Sequence, residues 1–143
     1  MFDLLKIAAT ILVVIGTLLI AWSSLLTLRY RRKVGRTERR AANATRRPWS
    51  RIAMAALFGS YILVLPPALS RNLTLASKLL PLPLLTFAVT QYIDLKHFQK
   101  QLVQGVCSKE TCELWIVPGY FGIAGCIVGC CGAFVYVIAT LLY

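Results

Sequence analysis

Residues 4–28, LLKIAATILVVIGTLLIAWSSLLTL, run directly into residues 29–51, RYRRKVGRTERRAANATRRPWSR. The first stretch is apolar apart from Lys6 and small hydroxyl residues, and a helix crossing hydrocarbon needs about 20 such residues. The second holds ten of the sixteen Lys and Arg residues against a single acid, Glu38. A long apolar run stopped by a block of arginine is the pattern of a membrane span with a basic flank. This junction sets the fold class: an all-α integral membrane protein.

Working outward, three further apolar segments follow. Ile52 to Leu69 and Leu73 to Ile93 form a close pair joined by Ser70, Arg71 and Asn72. Leu114 to Leu142 is the longest, about 43 Å as a helix at 1.5 Å per residue, so it should tilt or project beyond a hydrocarbon core of about 30 Å. The 143 residues, 58% of them hydrophobic, therefore read as one transmembrane domain, 1–143. About four spans are expected, at 4–28, 52–69, 73–93 and 114–142, with loops at 29–51 and 94–113. Asp3 and the lone Lys6 make a poor leader for a cleaved signal peptide, so the first run reads as a signal anchor.

The net charge of +11 suggests nucleic acid at first sight, but its distribution does not: the charge is a span-flanking block. No nucleic-acid partner is expected. Positive segments beside a span resist translocation, which places the 29–51 loop on the cytoplasmic or an equivalent side. Lys96, Lys100 and Lys109 fall on the same side two crossings later, and both termini face the other way. A re-entrant 52–93 hairpin gives the same orientation. Pro66-Pro67 and Pro81 with Pro83 punctuate that hairpin, and the donors they remove should kink it. The sequon Asn72-Leu73-Thr74 sits at its outer turn, and Asn43-Ala44-Thr45 on the basic side.

Charged groups inside a membrane mark ion paths and proton relays, and the middle of every expected span lacks them. Asp94, His97 and Gln101 share a helical face at the basic end of the third segment, where a polar cap is the expected role. One histidine excludes bis-histidine haem ligation within the chain; no metal site, cofactor or small-molecule substrate is expected. Neither a Ser-His-Asp set nor a glycine-rich phosphate loop occurs, and the chain is read as non-enzymatic. Cys107 and Cys112 are compatible with a small disulfide loop in an oxidising compartment, or with half of a zinc site. On the cytosolic side free thiols are expected. Cys126, Cys130 and Cys131 lie in the fourth span, where cysteine packs as a small hydrophobe.

Two surfaces remain. Gly122, Gly125, Gly129 and Gly132 fall on one strip of the fourth helix, and small residues on a strip let helix backbones approach closely. The partner is either within the chain, a second copy or another subunit. The basic residues Arg29, Arg31, Arg32, Lys33, Arg36, Arg39, Arg40, Arg46, Arg47 and Arg51 form a candidate site for anionic lipid or an anionic partner, since each basic residue near such a surface contributes about 1 kcal/mol. The membrane exporters' buried glutamate, the Cys-x2-Cys of quinone-linked thiol oxidoreductases and the long outer loop of tetraspan junction proteins have no counterpart here. The expected role is an accessory or structural subunit of a larger membrane complex, packing through the glycine-striped fourth helix and anchored by the basic loop, with other membrane subunits or itself as partners. A small channel or carrier of lipid or solute, built on the hairpin, is the first alternative. A thiol redox protein using Cys107 and Cys112 is the second.

Overall fold

The computed structural model describes residues 2–46 and 48–141, and every regular element among them is helical. Helix α1 spans Phe2–Lys33, α2 Arg36–Ala44, α3 Pro48–Leu69, α4 Leu73–Leu79, α5 Pro81–Val103 and α6 Lys109–Leu141. Three of them are long and apolar enough to cross a membrane: α1, α3 and α6.

Local chemistry explains the boundaries. In α1 the hydroxyls of Thr10, Thr17 and Thr27 donate to the carbonyls of Lys6, Val13 and Ser23, which satisfies them without water. The helix ends on Arg31, Arg32 and Lys33, cations that complement the negative end of its dipole. Proline opens α3 at its first position, where its missing N–H costs no hydrogen bond. Ser108 caps α6, its Oγ accepting from Thr111 N at 3.3 Å. Asn72, the first residue of a sequon, is engaged in the same way: its Oδ1 accepts from Leu75 N at 3.2 Å.

The segments expected as loops are largely helical. Arg29 to Arg51 comprises the end of α1, all of α2 and the start of α3, while α5 runs on to Val103. The third expected span, 73–93, is divided at Leu80, just ahead of Pro81. Helix α4 has seven residues, and α5 ends in the polar run Asp94–Gln101, so neither is an apolar span by itself. Leu80 keeps helical dihedrals, φ −55 and ψ −37; what is lost there is the donors of Pro81 and Pro83. Helix α3, by contrast, continues through Pro66 and Pro67 to Leu69.

The packing is a single row. Helix α1 packs on α6, α6 on α5, and α5 on α3, whereas α1 touches neither α5 nor α3 among the described residues. Neighbours in the row are antiparallel: Ser23 Oγ donates to Pro118 O at 2.7 Å, Gln99 Nε2 to Tyr120 Oη at 2.6 Å, and Ser60 Oγ lies 3.2 Å from Thr86 Oγ1. All four long helices therefore have one terminus at a common basic end. Short α2 lies there, its Ala42 buried against Phe98 and Cys112, and Phe98 stacks on Trp115 with ring centroids 4.2 Å apart.

Candidate functional site

The glycine strip of α6 faces its own chain. A Cβ on Gly125 would stand 2.8 Å from Gly16 O, and one on Gly132 2.8 Å from Val13 N and 2.9 Å from Ala9 O. Conversely, a Cβ on Gly16 would meet Gly129 N at 2.6 Å and Gly125 O at 2.7 Å. These are backbone atoms, so α1 and α6 touch main chain to main chain, the contact that small residues make possible in a membrane. Gly122 and Gly129 turn partly to α5, with Phe87 Cε1 and Leu84 Cδ1 at 3.2 and 3.3 Å from an added Cβ. The residues on α1 that complete this seam, Ala9, Gly16 and Ser23, stand at seven-residue spacing. That heptad signal matches Pro118, Gly125, Gly132 and Ala139 on α6, all buried, and reading α6 alone misses it.

At the basic end, Asp94 is buried on α5 and Arg46 reaches it from the turn before α3. The guanidinium forks the carboxylate, Nε to Oδ1 at 3.1 Å and Nη2 to Oδ2. Ser50 Oγ donates to Oδ1 at 2.8 Å and accepts from Arg46 Nη2 at 3.0 Å. Bidentate arginine with an added hydroxyl supplies the hydrogen bonds that a buried carboxylate requires. His97 Nε2 lies 3.4 Å from Thr45 Oγ1 and 3.2 Å from Gln101 Nε2. Asp94, His97 and Gln101 thus form a polar cap tying α5 to the α2–α3 turn. No group of three or more His, Cys, Asp or Glu suited to a metal occurs among the described residues.

The basic residues divide sharply. Arg36, Arg39, Arg40 and Asn43 recur at the three–four spacing of one helix face and line a cleft of about 650 Å³ together with Arg31 of α1 and Arg46. Its remaining walls are Thr27 of α1, Met54 of α3, and Leu114 and Trp115 of α6. Arg51 lines an adjoining hollow with Arg46, Met54 and Phe58. Arg29, Arg32 and Lys33 are exposed outside the cleft, Lys33 standing 5.5 Å from the Tyr30 ring centroid. Arg47 lies outside the described residues. Glu38 is turned to the opposite face of α2, where its Oε2 accepts from Thr111 Oγ1 at 3.3 Å.

Cys107 and Cys112 are free thiols. They are brought together at the start of α6, where Cys107 packs against the cluster that holds fully buried Cys112. Compared with protein-family models, with characterised proteins and with solved structures, the chain matches none.

Proposed function

We propose that this chain is a four-crossing membrane protein acting as a non-enzymatic structural component of a larger membrane assembly, held at one surface by its arginines. The observation that carries this reading is the row of helices. An isolated bundle encloses its core, but here α3 packs only on α4 and α5 among the described residues, and its Phe58, Tyr61, Ile62 and Leu65 remain exposed. Aromatic residues on an uncovered apolar face are the composition of protein interfaces. Because the glycine strip is filled by α1 and α5, other subunits would be met at α3.

The fourth crossing is α4 and α5 taken together. Its support is the antiparallel register with α3, from Ser50–Asp94 at the basic end to Ser60–Thr86 further along. The positive-inside tendency then puts the basic end on the cytoplasmic or an equivalent side and both termini opposite. Purification from native membranes in mild detergent should yield this chain with stoichiometric companion polypeptides. A photo-crosslinking residue at Ile62, exposed on α3 and clear of the arginine cleft, should capture one of them. A monodisperse particle of this chain alone would refute the reading. It would favour a small lipid or solute carrier, to which the gap between α1 and α3 also lends support.

A further inference from the structure

We propose that the arginine cleft is a built binding site for the headgroup of a polyvalent anionic phospholipid, with the acyl chains lying along the gap between α1 and α3. The inference deepens the anchoring role given to the arginines above. It differs from general attraction to a charged surface because it assigns the ligand to one cleft and to half of the basic block.

Charge is the first argument. Five guanidiniums line the cleft: Arg31, Arg36, Arg39, Arg40 and Arg46. The acid within reach, Asp94, is already held by Arg46 and Ser50, and Glu38 faces away. Four cations are left facing one space. Arg36 and Arg40 are four apart on α2, a like-charge pairing that weakens a helix in isolation. An anion between them removes that repulsion. Arg39 Nε, moreover, is buried without a hydrogen-bond partner among the described residues, a donor that a phosphate oxygen would satisfy. Arginine forks suit phosphate geometry.

Shape and position identify the source of the phosphate. A cleft of about 650 Å³ falls within the roughly 300–1,000 Å³ of small-molecule sites, more room than one phosphate group requires. Its inner wall is apolar, made by Met54, Leu114 and Trp115. Met54 continues into the hollow along α3 that ends at Phe58. Since α1 and α3 do not touch, the cleft opens sideways between two helices that read as membrane spans, rather than only toward water. A soluble polyphosphate has use for the arginines but not for this apolar track; a lipid with more than one negative charge has use for both.

The test compares two variants of equal net charge, the full chain being purified in detergent and its bound lipid counted by native mass spectrometry. Arg36→Gln with Arg40→Gln removes two exposed side chains of the cleft; Arg29→Gln with Arg32→Gln removes two exposed side chains outside it. Titrated with cardiolipin, the cleft variant should bind about thirty-fold more weakly than wild type, from two residues near the membrane surface. The outside variant should stay within about threefold. Phosphatidylglycerol should bind more weakly than cardiolipin to wild type, and pyrophosphate should fail to displace the lipid. Equal losses in the two variants would overturn the site while leaving charge-based anchoring and the complex-subunit reading intact. Displacement by pyrophosphate would overturn the lipid assignment in favour of a soluble anion. Arg39→Gln should give the largest single loss, and the exposed pair decides the matter if that variant does not fold.

Discussion

Gly16→Ala adds one methyl group where α1 meets α6. The methyl carbon would lie 2.6 Å from Gly129 N, 2.7 Å from Gly125 O and 2.8 Å from Gly129 Cα. Unstrained carbon contacts sit at about 3.5–4.0 Å, so the helix axes must part by roughly 1 Å. No flexible side chain can give way, because all three neighbours are main chain. Overpacking of this kind costs about 1–3 kcal/mol. Parting the helices also lengthens the Ser23–Pro118 hydrogen bond from 2.7 Å, and interhelical hydrogen bonds in membranes average about 0.6 kcal/mol. Against this, alanine gains up to about 1 kcal/mol over glycine in helix propensity. The expected balance is a loss of about 0.5–2.5 kcal/mol. Gly59→Ala is the matched control, since nothing lies within 4 Å of its added Cβ, and it should be neutral or slightly stabilising. Equilibrium unfolding in mixed micelles, followed by circular dichroism and tryptophan fluorescence, measures both. If Gly16→Ala proved as stable as Gly59→Ala, the backbone-close seam between α1 and α6 would be wrong.

Asp94→Asn leaves Arg46, 20% exposed at its side chain, without its counter-charge; the expected loss is about 2–3 kcal/mol in the same assay, and an unchanged midpoint would remove the ion pair from the cap. Arg71 holds φ 59 at the end of α3, where Asn72 N donates to Pro67 O and Arg71 N to Ala68 O. This is the capping motif that prefers glycine, so Arg71→Gly should stabilise by about 1 kcal/mol. Gly105→Ala, at φ 66, should cost a similar amount. With a polar maleimide, partly buried Cys107 should label in the native protein and fully buried Cys112 only after unfolding; simultaneous labelling would show that the start of α6 is open.

Much of the architecture is visible in the chain because hydrocarbon imposes a long apolar period that few other environments require. The runs beginning at Leu4, Ile52 and Leu114 each lie within a helix long enough to span. The third is harder to see, since Pro81 and Pro83 interrupt the hydrogen bonding while the dihedrals at Leu80 stay helical, and Asp94 to Gln101 dilute the apolar signal. Loops 29–51 and 94–113 were expected from polarity, yet polarity at a membrane surface is equally the mark of a helix projecting into water. For the candidate site, the arginines are evident and their division is not. Only placing residues 36, 39, 40 and 43 on a helix shows that four side chains face one way and Glu38 the other. Arg46 and Asp94 are distant in sequence, and nothing local to either announces the other. The glycine strip is legible from spacing, but its partner requires noticing that Ala9, Gly16 and Ser23 repeat at the same interval.

The row of helices also sets a timetable. Helix α1 is synthesised before the other helices of the row, yet its sole neighbour there among the described residues is α6, which follows them all. The Ser23–Pro118 bond closes across 95 positions, and contacts of such separation must wait for the intervening chain. Throughout synthesis the small-residue face of α1 stays bare while the α3–α5 hairpin forms beside its own partner. Arrival of α6 then joins both halves in one step, entering between α1 and α5. A chain interrupted before Lys109 would hold α1 and the α3–α5 hairpin, joined through α2 but without packing between them, so the row is closed only when α6 arrives.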